Sequence, residues 1–252
     1  MTSSDASRRD VLAAAATVAG SLAVAGATTS SVASADVERS TPSDVTLSYD
    51  KAKIQEYQPE FVLQGVEPRP YGVWALHAEK AGSGLNAVYG FTRYPYQEGQ
   101  TEYDSHYLDH EPWIVWYDAA TETTERVDYA AYHWFRGYAF RDQLEFATAD
   151  KKRPVLRVDP NYHHYYLYSG SLAGERPEVN SLLAKIEDWL ANGMDEELAV
   201  SQPYDPWAMM GRGSWWREEA RHSFETVWNA FWFNLGLSDA RATSDLDGVP
   251  LW

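Results

Sequence analysis

The sequence predicts a β-rich α+β fold, in which a β-sandwich is flanked by helices and further helices occupy the C-terminal third. Two observations lead to this prediction. Between about residues 45 and 168, short runs of β-branched and aromatic residues alternate with Gly, Pro, Asp and Asn at turn-like intervals. Beyond Gly174, apolar residues recur instead at the helical spacing of three or four.

The first 35 residues have the features of a twin-arginine signal peptide. Arg8 and Arg9 stand just ahead of an uncharged stretch that is rich in Ala and Val, and residues 33–35 have the small-x-small form that signal peptidases accept. We therefore expect cleavage before Asp36 and a location outside the cell or on the outer face of its envelope. An uncleaved N-terminal anchor is the alternative.

Cleavage would leave one domain. Residues 36–44 are polar and form a linker, and residues 45–252 are long enough for a single large core. The chain has no cysteine, so an exported domain of this kind must be held together by packing or by a bound metal. We expect it to be a monomer.

The charge balance narrows the range of partners. The chain has 37 acidic and 21 basic residues, a formal net charge of −16. Such a surface repels phosphate backbones, so nucleic acid is excluded as a partner. The 11 Trp and 17 Tyr residues can build a core, so the acidity is not the kind found in disordered chains. We interpret it as a halophilic, salt-adapted surface.

Five runs are predicted as strands: residues 71–77, 85–91, 113–117, 132–140 and 162–168. Trp113 and Trp116 lie three apart, so a strand sends them to opposite faces and at least one of them is predicted in the core. A sugar-stacking role for Trp113 is the alternative. His163 and His164 are adjacent on a predicted strand, so they are also expected on opposite faces.

Two helices are predicted in the C-terminal third. Pro177 is a favoured first helical residue, apolar residues follow at helical spacing, and Gly193 ends the pattern. A second helix is predicted over residues 215–235, before Gly236.

The strongest functional pattern lies where a loop enters a hydrophobic strand. His106, Asp109 and Glu111 are close in sequence, and Asp109 and Glu111 share one face of an extended chain. A loop that bends back adds Glu98, which gives one imidazole and three carboxylates. Such a set suits Ca²⁺, Mg²⁺ or Mn²⁺ better than zinc. The alternative is that these are ordinary polar residues of an acidic surface.

This segment resembles a known family. Residues 105–111, Ser-His-Tyr-Leu-Asp-His-Glu, are similar to the Gly-His-Arg-His-Asp-Trp-Glu heptapeptide of the necrosis-inducing (Nep-like) proteins. They agree at His106, Asp109 and Glu111, the positions that bind the metal in that family. Residues 87–98 resemble the family strand that ends in an acidic ligand, here Glu98. Further similar segments follow in the same order at residues 113–117, 132–138, 153–157 and 163–164.

The resemblance implies a fold and a function for residues 45–252 as a necrosis-inducing-protein-like domain. The fold would be a β-sandwich flanked by helices. The function would be that of a lectin-like cytolysin, in which a divalent cation in an acidic cavity helps to bind the sugar head groups of glycolipids and membrane damage follows. The chain departs from the pattern at Ser105, Tyr107, Leu108 and His110, and it lacks the family's cysteine pair.

The first hypothesis is therefore a secreted metal-binding protein that takes a glycan or glycolipid head group and acts at a membrane surface. Ligand contacts are predicted at His133, His163, His164 and Trp113, each with a purely structural role as the alternative. A metal-dependent hydrolase is the second hypothesis, but no Gly-x-Ser-x-Gly, phosphate-loop or His-Glu-x-x-His pattern supports an enzyme. The third is a cell-envelope protein in which the metal replaces disulfides as a structural cross-link.

Overall fold

The computed structural model describes residues 41–97, 106–132, 135–186, 202–213 and Trp215. All of them belong to a compact unit that runs from Glu38 to Trp252. The predicted signal peptide and the linker up to residue 40 lie outside the described residues, as does the predicted helix beyond Trp215.

Short strands dominate the described residues. Their bounds, with those of the one α-helix among them, are β1 Val45–Ser48, α1 Lys51–Tyr57, β2 Glu60–Val62, β3 Gly72–Lys80, β4 Leu85–Arg93, β5 Tyr96–Gln97, β6 His106–Tyr107, β7 His110–Asp118, β8 Thr124–Tyr132, β9 Phe135–Phe140, β10 Val155–Val158, β11 Tyr165–Leu167 and β12 Val179–Ser181. Two 3₁₀ helices are also described, at Arg141–Gln143 and Pro206–Met209.

The large sheet has the strand order β1-β3-β4-β7-β8-β9, with neighbours antiparallel throughout this path. Strand β12 lies parallel to β3, with Val179 opposite Val73. Residues of β4 and β7 are buried on both faces of the sheet. An antiparallel sheet usually exposes one face to water, so burial on both sides means that a layer covers each face.

One face is covered by a small sheet of order β11-β10-β2. Phe61 of β2 packs against Trp113 of the large sheet, with ring centroids 6.4 Å apart, and stacks on Tyr165 of β11 at 5.4 Å. The two sheets thus meet face to face through aromatic side chains, which confirms the β-rich sandwich predicted from the sequence.

Helix α1 completes this layer. The side chain of Asp50 caps its first turn by accepting a hydrogen bond from Lys53 N at 3.0 Å. Ile54 and Tyr57, three residues apart, are buried, and the Tyr57 ring stacks on Tyr117 at 3.9 Å. Among the described residues, no helix is both long and apolar enough to cross a membrane.

The opposite face is covered by residues 202–213 and Trp215, here named the C-terminal strap. Trp207 packs edge-on against Trp116 with ring centroids 5.4 Å apart, and its Nε1 donates a hydrogen bond to Ser83 Oγ at 3.0 Å. Trp215 lies against Tyr89 at 6.1 Å. Trp113 and Trp116 therefore point to opposite layers, as their spacing predicts.

A buried charged cluster sits beneath the strap. Asp128 receives hydrogen bonds from Trp116 Nε1 at 2.7 Å and Arg126 Nε at 2.6 Å, and Arg136 lies 2.8 Å away. Arg136 Nε also donates to the carbonyl of Arg212 at 2.6 Å. Burial raises the pKa of Asp128, and the two guanidinium groups oppose that shift. The cluster ties the strap to the sheet.

The helix predicted from Pro177 is wrong at its start. Residues Val179–Ser181 form β12, and residues 187–193 lie outside the described part. Strand β1 pairs only with the last four residues of β3, so the rest of that edge accepts β12. An open edge of a sheet outweighs a helical pattern of apolar residues.

Two predicted strands have different limits. Residues 132–140 belong to two strands, because β8 ends at Tyr132 and β9 begins at Phe135. Only Tyr165–Leu167 of the run 162–168 is strand, and the residues before it form a turn.

Candidate functional site

The predicted metal segment lies on one long hairpin. Strands β4 and β7 pair up to Arg93 opposite His110, and the same register continues through β5 and β6, where Gln97 lies opposite His106. Between them, Tyr94 N donates to the carbonyl of Asp109 at 2.9 Å. The hairpin therefore brings the end of β4 beside the start of β7, and the end of β5 beside His106.

An exposed residue interrupts the regular strand just before Asp109. Leu108 has a φ of 62° and is 55% exposed, and its N–H donates to the carbonyl of Pro95 at 2.9 Å. A left-handed conformation is costly for a branched side chain, and such residues concentrate where the surrounding structure imposes a special geometry. Here it separates β6 from β7.

Asp109 and Glu111 are both buried, each with 4% of its surface exposed. Burial raises the pKa of Tyr94 and of Tyr165, and both carboxylates raise these values further. Tyr165 also donates from its hydroxyl to the carbonyl of Glu111 at 3.2 Å. The two carboxylates thus face the small sheet together.

His163 meets Asp109 from the turn between β10 and β11. Its Nδ1 lies 2.7 Å from Asp109 Oδ2, and its ring stacks on Tyr94 with centroids 3.9 Å apart and planes 6° from parallel. Within the described part of the chain, His163 Nε2 and the Tyr94 hydroxyl are buried without a hydrogen-bond partner. Buried polar atoms are nearly always paired, so two such atoms beside two carboxylates mark a place for a ligand.

The turn that carries His163 is tight and strained. His163 has a φ of 58°, and His164 N donates to the carbonyl of Tyr162 at 2.8 Å, which closes a three-residue turn. Asp159 Oδ1 accepts hydrogen bonds from Asn161 N and Tyr162 N, both at 2.9 Å. This turn fixes the imidazole against Asp109 at the expense of backbone strain.

The expectation that His163 and His164 alternate on a strand is wrong, because both are buried in this turn. His164 Nε2 lies 2.8 Å from the hydroxyl of Tyr166, which donates to Asp159 Oδ2 at 3.2 Å. Burial lowers the pKa of His164 to about 4, so the ring is neutral at physiological pH. These contacts give His164 a role in holding the turn.

The remaining predicted residues divide into two groups. Trp113 is fully buried, packs on Phe61 and donates from Nε1 to Thr92 Oγ1 at 3.1 Å, so its ring presents no face to solvent. The backbone of His106 is described in β6, whereas Glu98, His133 and the His106 side chain lie outside the described residues.

Sequence reasoning missed Tyr94 and Arg93. Arg93 ends β4 and Tyr94 follows it, on the strand that pairs with the metal segment. The available signal was that the runs 85–91 and 113–117 can pair as a hairpin. Arg93 is 8% exposed, and its pKa is lowered by burial and held up by Tyr71 and Asp109. Arg93 lies opposite His110 in the register, so its side chain leaves the face of the sheet opposite to Asp109.

The chemistry of the described residues fits a hard cation in part. Two buried carboxylates and an imidazole are the oxygen-rich surroundings that Ca²⁺, Mg²⁺ or Mn²⁺ prefer. Within the described residues, however, no three His, Asp or Glu side chains are grouped closely enough to hold a metal ion. A complete site therefore needs further donors, for which Glu98 and His106 are the predicted candidates.

No protein-family model and no curated protein matches the chain. Solved structures match it in part. A toxin fold for microbial attack and plant defense is 15% identical, covers 57% of this chain and 78% of its own, and has a TM-score of 0.38. NLPPya in complex with glucosamine is 16% identical over 57% and 78%, with a TM-score of 0.40.

A third match is Necrosis and Ethylene inducing Protein 2 from the causal agent of cocoa's Witches Broom disease. It is 16% identical, covers 62% of this chain and 82% of that chain, and has a TM-score of 0.38. The chain is thus similar to necrosis-inducing toxins over part of its length. At these low TM-scores the function has to be argued from the chain's own residues.

Proposed function

We propose that this protein is an exported binder of a divalent cation, Ca²⁺, Mg²⁺ or Mn²⁺, which uses the cation to hold the sugar head group of a glycan or glycolipid. The observation that carries the proposal is the buried pair of Asp109 and His163, covered by Tyr94 and with Glu111 on the same side. Burying two carboxylates is costly unless positive charge compensates them, and a bound cation supplies it.

Each residue has a distinct part in this proposal. Asp109 and Glu111 hold the cation, and Glu98 and His106 complete the set of donors. His163 donates from Nδ1 to Asp109 and so fixes the direction of that carboxylate, as groups behind metal ligands generally do. A cation held in this way coordinates the hydroxyl oxygens of a sugar. Action at a membrane surface would follow from a head group of this kind.

The cation site is tested by calorimetric titration of the protein with each of the three metals. We expect saturable one-site binding by the wild type that both Asp109→Asn and Glu111→Gln abolish. Glu67→Gln is the matched control, because it removes the same charge from a side chain that is 80% exposed. A folded wild-type protein that binds none of the three metals would contradict the proposal.

The sugar is tested separately, with glucosamine and mannosamine as first probes and with a chelator present or absent. Binding that requires the cation supports the proposal. Sugar binding that survives the chelator would favour the third hypothesis, in which the metal only stabilises a cell-envelope protein.

One observation favours a hydrolase as the second candidate. The Asp109 carboxylate accepts from Nδ1 of His163, and Nε2 of the same ring has no hydrogen-bond partner among the described residues. A histidine that acts as a general base is oriented by a carboxylate in the same way. The two candidates are separated by incubating the metal-loaded protein with oligosaccharides. Products that accumulate with time, and that His163→Gln removes, would establish turnover.

Export is part of the proposal and has its own test. Replacement of Arg8 and Arg9 by Lys should keep the protein inside the producing cell, because the twin-arginine route reads that pair. Secretion of this variant at the wild-type level would contradict it.

A further inference from the structure

Two aromatic side chains are exposed beside each other on β9, the last strand in the order of the large sheet. Tyr138 is 53% exposed and Phe140 is 50% exposed. Their ring centroids lie 5.7 Å apart, and the ring planes meet at 76°. The two rings therefore form an open corner at the surface rather than a flat platform.

The strand register places charged residues of β8 beside this corner. Phe140 lies opposite Arg126, and Tyr138 lies opposite Asp128. Side chains of directly opposite residues leave the same face of a sheet, so all four share one face. Arg126 also lies opposite Trp116, the tryptophan that packs against the C-terminal strap. The corner and the strap thus occupy the same face of the large sheet.

The guanidinium of Arg126 is held against the two rings. It lies 4.5 Å from the centre of the Tyr138 ring and 5.8 Å from that of Phe140. Its Nε donates to Asp128 Oδ1 at 2.6 Å. Within the described part of the chain its two terminal nitrogens donate to no other group, and the side chain is 16% exposed. The corner therefore has a fixed pair of N–H donors beside its rings.

The charges around the corner do not cancel. Arg126 and Arg136 share a single carboxylate, that of Asp128, which lies 2.8 Å from the Arg136 guanidinium. The neighbouring Glu125 and Arg141 pair with each other at 2.8 Å and add no net charge. A chain with a formal net charge of −16 thus carries a local excess of positive charge here. A ligand that reaches Arg126 gains most if it is an anion.

These features select one class of ligand. The terminal nitrogens of a guanidinium match the two oxygens of a carboxylate, and an exposed aromatic ring packs against the apolar C–H face of a sugar. A uronic acid carries both groups on one ring. A phosphate would use only the guanidinium, and a neutral sugar would use mainly the rings. A partner protein needs about 800 Å² of surface, far more than two half-exposed rings offer.

We propose that Tyr138, Phe140 and Arg126 form a binding site for a uronic acid unit of an acidic polysaccharide. Glu111 shares its face of the sheet with Trp113, which points away from the strap layer, so the candidate cation site lies on the other face. The uronic acid site is separate from it and needs no cation. The inference thus goes beyond the proposed function and gives the protein a second, independent contact with a glycan.

The test titrates the full protein by calorimetry with trigalacturonate, with maltotriose as a neutral trisaccharide and with benzoate as a carboxylate on another ring. Each titration is made with a chelator and again with Ca²⁺, and thermal unfolding verifies that every sample is folded. The variants are Tyr138→Ala and Arg126→Gln. Tyr71→Ala is the matched control, because Tyr71 is 46% exposed and precedes β3, four strands from β9 in the sheet order. Tyr138 is half exposed, so its variant should keep the fold even where Arg126→Gln does not.

We expect the wild type to bind trigalacturonate at least about tenfold more tightly than maltotriose or benzoate, with or without Ca²⁺. Tyr138→Ala should lose about tenfold in trigalacturonate affinity, and Arg126→Gln should lose the preference over maltotriose. Tyr71→Ala should behave as the wild type.

Three results would overturn the site: no trigalacturonate binding by the wild type, equal affinities of Tyr138→Ala and wild type, or an equal loss in Tyr71→Ala. Benzoate that binds as tightly as trigalacturonate would overturn the assignment to a sugar. Loss of binding by folded protein in the chelator would overturn its independence from the cation. The proposed function is judged separately, by whether the wild type binds a divalent cation.

Discussion

Asp109 is oriented by a hydrogen bond from His163, which lies 54 positions away in the sequence. His163 holds the carboxylate from behind while its ring is fixed by stacking on Tyr94. Residues that hold a metal ligand in this way commonly contribute as much to affinity as some ligands do.

Truncation of His163 should therefore weaken cation binding without unfolding the protein. We expect His163→Ala to lower the affinity by about 10- to 100-fold in a calorimetric titration. Tyr166→Phe is the control, since it removes the contact to neighbouring His164 and leaves the bond to Asp109 in place. Equal cation affinity in His163→Ala and wild type would mean that the imidazole does not position the carboxylate.

His164 should make stability depend on pH in a defined window. Its pKa is about 4 when folded and 6.5 when unfolded, because burial disfavours the charged ring. As the pH falls below 6.5 the unfolded chain takes up a proton that the folded chain takes up only near 4. The stability contributed by the neutral ring is thus present above this window and lost across it, by up to about 3 kcal/mol.

Urea unfolding of wild type and His164→Gln between these two pH values tests this, with a chelator present throughout. The free energy of unfolding should fall more steeply for the wild type than for the variant. Parallel profiles would show that His164 is not the group responsible.

Among the elements, the hairpin of β4 and β7 depends on close packing at Gly90. A Cβ atom at this position would collide with the Trp113 ring, which is enclosed on the other side by Phe61. We expect Gly90→Ala to lower the free energy of unfolding by about 1–3 kcal/mol or more. Gly213→Ala is the control, because open space surrounds that position. Equal urea midpoints for the two variants would contradict this account.

The C-terminal strap depends on the charged cluster at Asp128. Asp128→Asn leaves the buried guanidinium of Arg136 and the half-buried one of Arg126 with less compensation, and such a change typically costs about 3–5 kcal/mol. The exposed pair of Glu125 and Arg141 provides the control, since Glu125→Gln should change stability little. A small effect of Asp128→Asn in urea unfolding would show that the strap is held mainly by its tryptophans.

The elements that could be predicted are those whose pattern is local. The alternation of β-branched and aromatic residues located β3, β4 and β7, since these strands form the core. The start of the helix predicted from Pro177 was wrong because the free edge of β3 cannot be seen in a local pattern. The turn at His163 was missed although residues 159–161, Asp-Pro-Asn, carry a turn signal.

The candidate site, like the fold, was predictable only where its residues lie close together in the sequence. Asp109 and Glu111 lie two residues apart, so the spacing of an extended chain was enough to place them together. Tyr94 and His163 reach them only through the hairpin register and the packing of the small sheet. The expected likeness to necrosis-inducing proteins is found among solved structures, whereas the metal and its ligands stay predictions.

For the whole molecule, the formal net charge of −16 predicts a response to salt. Repulsion between like charges opposes the compact state, and salt screens it. We expect the midpoint of thermal unfolding to rise between about 0.1 M and about 2 M KCl, most steeply at the lower concentrations, because the Debye length has already fallen to about 3 Å at 1 M. Sucrose at matched osmolality is the control for exclusion effects. A midpoint that falls or stays constant in KCl would argue against salt adaptation.

The left-handed, solvent-facing Leu108 also offers a way to observe the site. Because the chain has no cysteine, Leu108→Cys would introduce the only thiol in the protein. A fluorophore attached there would sit one residue from Asp109 and largely in water. Its emission would report, in real time and in a single mixing experiment, how fast a cation or a sugar arrives and leaves.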